Sequence, residues 1–74
     1  MPQVNKIEGS PPRIEIKWDV TDNKDTLLAE KIFLAYTRQG WFAFKILSEG
    51  KMAQIFNFQK TLAKITLLPL VEGG

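Results

Sequence analysis

Three carboxylates, Asp19, Asp22 and Asp25, fall at intervals of three residues just ahead of an apolar periodic stretch, and two glycines, Gly73 and Gly74, close the sequence. Carboxylates so spaced can gather a divalent cation or cap a helix. A calcium loop also needs a central glycine and a terminal glutamate, which this segment lacks, so capping is the expected role. The chain has no histidine and no cysteine. The commonest general base and metal ligand are therefore missing, as are disulfides and thiolate sites. Lysine or carboxylate catalysis stays formally open, but no constellation supports it. The expectation is a protein that is not an enzyme and holds no metal or cofactor.

Aromatic and basic residues offer a second kind of chemistry. Trp41 and Tyr36 lie near Lys45 and Arg38, a combination able to stack bases. The alternative is that both rings are peripheral core, since a small domain needs its aromatics for filling. Lys24, Lys31 and Arg38 recur every seven residues and suit the solvated side of a helix better than a phosphate site.

The 74 residues allow one domain, and a chain of that size buries roughly 60% of its unfolded surface, so the core is thin. An apolar fraction of 45% with 24% charged residues fits a folded globular chain. The net charge of +2 is spread along the sequence, without the basic arm or patch of a nucleic-acid binder, so a nucleic-acid partner is not expected. The longest apolar runs, Ile32–Ala35 and Trp41–Phe44, are too short to span a bilayer. The N-terminus has no signal-peptide core. Together with the lack of cysteine, this points to a cytoplasmic location.

The elements that must position these residues follow from periodicity. Arg13–Val20 alternates, with Ile14, Ile16, Trp18 and Val20 on one face, and reads as a half-buried strand. Residues 24–39 read as a helix. Leu28, Ile32, Ala35 and Gln39 make one row, and Ala29, Phe33 and Tyr36 make a second beside it. Gly40 fits the position that ends helices. Trp41–Leu47 reads as a strand with Phe42, Phe44 and Ile46 on one face. Ser48–Lys51 is a hairpin loop, Met52–Phe58 the returning strand, Gln59–Ala63 a turn or short 3₁₀ piece, and Lys64–Leu70 a final central strand. Pro69 should weaken pairing at its end. Met1–Ile7 reads equally as a short edge strand or a frayed terminus, and Gly9-Ser10-Pro11-Pro12 as a turn or the end of a tail. Val71–Gly74 is expected to be a mobile tail.

The run Lys64-Ile65-Thr66-Leu67-Leu68-Pro69-Leu70-Val71-Glu72-Gly73-Gly74 resembles the end of β-grasp, ubiquitin-like proteins. It is most similar to the small sulfur-carrier subunits of molybdopterin synthase and thiamine biosynthesis, which end in a hydrophobic strand, a proline and a Val-x-Gly-Gly tail. The resemblance covers about eleven residues. The element order, (β)-β-α-β-β-β, agrees over the rest. It implies an α+β fold in which a small mixed sheet packs on one helix, with the first strand beside the last. It also implies a modifier or sulfur carrier whose Gly74 carboxylate is adenylated by a separate activating enzyme. Glycines would let such a tail thread a narrow channel.

Two functional expectations result. One is the carrier, with Gly73 and Gly74 as the activated end. The other is a non-catalytic interaction module, a phage, viral or accessory subunit, docking through an apolar last strand. On the second, Thr66, Leu68 and Leu70 face outward, and Leu68, Leu70, Val71 and Trp41 contact the partner. Packing of these residues under a loop or a dimer partner is the competing account. The oligomeric state is left open.

Overall fold

The chain, as a computed structural model, is described over residues 1–69. Its longest element is the helix α1 (Asn23–Arg38). The Asp22 carboxylate starts it by accepting from the backbone N–H groups of Lys24 and Asp25, at 2.9 and 3.2 Å, which satisfies donors that the first turn leaves free. Gly40, at φ 100°, ends it in the left-handed region that glycine tolerates best. The buried row is Asp25, Ala29 and Phe33, with Tyr36 half-buried below. In the other row Leu28 and Ala35 are exposed and only Ile32 packs against the core. Of the two adjacent rows, the one carrying the large Phe33 faces the sheet.

Five strands surround this helix in sequence: β1 (Gln3–Ile7), β2 (Arg13–Lys17), β3 (Phe42–Ile46), β4 (Met52–Ile55) and β5 (Lys64–Leu68). Short 3₁₀ turns occupy Ser48–Gly50 and Lys60–Leu62. The sheet order is β1-β2-β5-β3-β4, and every pairing is antiparallel. The fold is therefore a small α+β domain with an antiparallel sheet, not the mixed sheet expected. The N-terminal segment is a strand, but it pairs with β2 and not with β5. Apolar content explains the placement. β2 brings Ile14 and Ile16 to the core and takes the inner position, whereas β1 has only Ile7 half-buried and takes the edge.

The core lies between α1 and one face of the sheet. Ile14, Ile16, Trp18, Ala43, Ile55, Ile65 and Leu67 meet Ala29 and Phe33 there. Trp18 closes one end. Its indole N–H donates to the Lys60 carbonyl at 3.0 Å, its backbone N–H donates to the Ala63 carbonyl at 3.0 Å, and its ring packs 5.0 Å from Phe58. The expected alternation stops there: Val20 is exposed, because the chain has already turned toward the helix cap. The returning strand is likewise shorter than expected, ending at Ile55, with Phe58 folded under the core.

Phe33 is fully enclosed. Its replacement in Phe33→Ala should cost about 3–5 kcal/mol, a large part of the roughly 5–15 kcal/mol available to such a domain. Urea unfolding of the variant should show that loss; a change under about 1 kcal/mol would mean that the helix does not pack as described.

Candidate functional site

Side chains alternate across a strand, so register assigns each residue to a face. The pairs Ile14–Leu67, Ala43–Leu67 and Ala43–Ile55 fix the helix side. The opposite face is covered by no element among the described residues. It is organised in three rows. Glu15, Thr66, Phe44 and Gln54 are directly paired across the middle. On one side of them lie Gln3, Lys17 and Lys64, then Ile46 and Met52. On the other lie Ile7 and Arg13, then Leu68 and Phe42.

The rows divide this face into two halves. The β3–β4 half is apolar: Phe42 is 39% exposed, and Ile46 and Met52 are each 46% exposed. Phe56, just past β4, is 80% exposed and shares a cleft of about 290 Å³ with Phe42. The β2 half is charged, with Arg13, Lys17 and Lys64 against the single carboxylate of Glu15. Lys17 stands directly opposite Lys64, a destabilising like-charge pair. Lys64 turns instead to Glu15, 3.3 Å away. Thr66 sits on the seam. It is buried, and its hydroxyl has no hydrogen-bond partner among the described residues.

Of the residues expected to bind a partner, the two that are described, Leu68 and Trp41, lie on opposite sides of the sheet. Leu68 is half-buried on the helix-free face. The last strand is central, and Ile65, Thr66 and Leu67 are all buried, so it offers much less exposed apolar surface than the sequence suggests. Trp41 lies on the helix side, 5.5 Å from Tyr36 in an edge-to-face contact and packed against the core. With Lys6, Arg13, Tyr36 and Gln39 it lines a cleft of about 310 Å³. Leu70, Val71, Gly73 and Gly74 lie outside the described residues. Phe42, Phe44, Ile46 and Met52 went unrecognised as a surface. The available signal was the pattern of large residues flanking the small Ala43: the helix needs the small one, so the large ones point away.

The three aspartates are spent on the backbone. Asp19 Oδ1 accepts from the Thr21 hydroxyl at 2.6 Å and the Thr21 N–H at 2.9 Å. Asp25 Oδ2 accepts from the Asp19 N–H at 2.6 Å, and the Met1 amine stands 2.9 Å from Asp25 Oδ1. The two form an ion pair. The Thr21 hydroxyl and then its N–H hold the Asp19 carboxyl below its ordinary 3.8. The Asp19 N–H, followed by the amine contact, does the same for Asp25 against the opposing effect of burial. Contact with Asp25, then its charge, raises the amine above 8.0. Among the described residues, no group of acidic side chains is arranged to hold a metal ion, and no helix is long and apolar enough to cross a membrane.

Comparison with protein-family models, curated proteins and solved structures finds no match to this chain. The functional reading therefore rests on the geometry.

Two expectations test this geometry. Replacing the unpartnered hydroxyl in Thr66→Val should leave stability unchanged or raise it by about 1 kcal/mol; a clear loss in urea unfolding would reveal a partner for it. Carboxyls lowered on folding contribute stability above their unfolded value and lose it as pH falls through the folded one, while a raised amine contributes below its unfolded value and loses it as pH rises. Thermal unfolding should therefore show a plateau from about pH 4 to pH 8 with losses on both sides, and an extension ahead of Met1 should remove the loss that begins just above pH 8.

Proposed function

We propose that this chain is a non-catalytic protein-interaction module that binds its partner through the helix-free face of its sheet. The observation that carries this reading is the apolar half formed by Phe42, Phe44, Ile46, Met52 and Leu68, which sits on paired strands and is bordered by charge. Contiguous apolar surface rimmed by polar residues is characteristic of protein docking sites. The absence of histidine and cysteine agrees with a surface-based role. This refines the expected docking strand: the apolar surface belongs mainly to β3 and β4, with β5 contributing Leu68.

A second reading keeps the Gly73-Gly74 end as an adenylated carrier terminus of β-grasp type. Its support is the run from Leu67 to Gly74 and the order of hairpin, helix, hairpin and last strand. Against it stands the position of β1, which lies at the sheet edge and away from β5.

Affinity capture from the native cell extract separates the two. The intact chain, Ile46→Glu, and a chain lacking Gly73 and Gly74 would be compared. On the docking reading, the partner is lost with Ile46→Glu and retained without the glycines. Retention by Ile46→Glu with loss in the truncated form would favour the carrier, and intact-mass detection of an adenylate or thiocarboxylate after incubation with an activating enzyme and ATP would establish it.

A further inference from the structure

We infer that the partner segment is an acidic amphipathic helix lying along β5, its apolar stripe against β3 and β4 and its carboxylates against β2. This rests on the docking reading above and adds the chemistry of the occupant. The segregation of the face is the first argument. Apolar side chains occupy the columns of β3 and β4, and cations occupy β2 and the start of β5. An occupant that matches both needs an apolar stripe and an acidic flank side by side, which is the surface of an amphipathic helix.

Size is the second argument. β2 and β3 lie on either side of β5, two strand spacings apart, or about 10 Å. That is about the diameter of one α-helix with its side chains. A helix over β5 therefore touches Phe44 and Ile46 with one flank and Arg13 and Lys17 with the other. Roughly three turns cover strands of this length.

Charge is the third. Lys17 and Lys64 face each other across the β2–β5 pair, and Glu15 is already engaged by Lys64. The repulsion is relieved by carboxylates arriving from outside. A second copy of this chain does not offer them along its helix: the exposed side of α1 carries Lys24, Lys31 and Arg38, and its Glu30 is half-buried. Single-stranded nucleic acid would bring negative charge, but stacking platforms interleave aromatics with cations, whereas here Leu68 stands between Phe42 and Arg13, and Phe44 faces Thr66 and Glu15.

The test is titration of the isotopically labelled chain with three probes, read at the methyl groups of Ile46, Met52 and Leu68. The probes are a synthetic helix of roughly 16 residues with a leucine stripe and a glutamate flank, the same peptide with lysine for glutamate, and an oligouridine of about ten nucleotides. The acidic peptide should shift these methyls and bind about tenfold tighter than its lysine counterpart, the equivalent of a few exposed ion pairs. Arg13→Glu combined with Lys17→Glu should reverse that order. Should the pair prevent folding, Lys17→Gln should narrow the preference. Equal binding of the two peptides would overturn the acidic helix while leaving the docking face intact. Tighter binding of oligouridine would assign the face to nucleic acid. No methyl shift with any probe would remove the docking face itself.

Discussion

The insertion of β5 between β2 and β3 is the constraint on which the rest depends. The hairpin of β1 and β2 and the hairpin of β3 and β4 share no hydrogen bonds of their own; β5 alone bridges them. A strand so placed is paired on both edges and covered by the helix on one face, and its run of Ile65, Thr66 and Leu67 suits that position. The α1 crossover carries the chain from β2 to β3 and leaves a gap one strand wide, which the last strand fills. Because that contact joins residues far apart in sequence, the sheet is complete only when the C-terminal strand has docked.

Filling the gap makes one face of the sheet a core and leaves the other without a layer. On the helix side, Ala43 is small enough to let Phe33 approach, and Ile14, Ile16, Ile65 and Leu67 close around it. On the other side, the large alternating residues of β3 and β4 have nothing over them among the described residues. Thr66 marks the transition. It is buried between Glu15 and Phe44, and its hydroxyl is left without a hydrogen bond, a costly arrangement in a finished interior.

Much of the fold was legible in the sequence. The alternation of Arg13–Val20, the aspartates at the helix entrance, the glycine at 40 and the β-rich stretch Trp41–Leu47 each pointed to the right element, with both strands shorter than expected, Arg13–Lys17 and Phe42–Ile46. Those signals are local, and the forces behind them act within one turn or one strand. Strand order was not legible. Whether β1 or β2 lies beside β5 depends on which strand buries more, a competition between residues some fifty positions apart. The buried helix face was not legible for a related reason: two apolar rows lie side by side, and only the sheet decides which of them is covered. The candidate site suffered most. The last strand carries the most prominent apolar run, yet its Ile65, Thr66 and Leu67 are all buried. The exposed apolar residues of the helix-free face sit on β3 and β4, whose alternation looked like that of any half-buried strand.

Both the docking face and the weight given to the diglycine end rest on the neighbours of the final strand. Interstrand nuclear Overhauser contacts between backbone protons read those neighbours directly. The antiparallel order predicts cross-strand contacts from Thr66 to Glu15 on one side and to Phe44 on the other, with Gln3–Ile7 in contact only with Arg13–Lys17. Contacts between Gln3–Ile7 and Lys64–Leu68 would contradict that order, give the first strand the central place, and return the β-grasp carrier to the front.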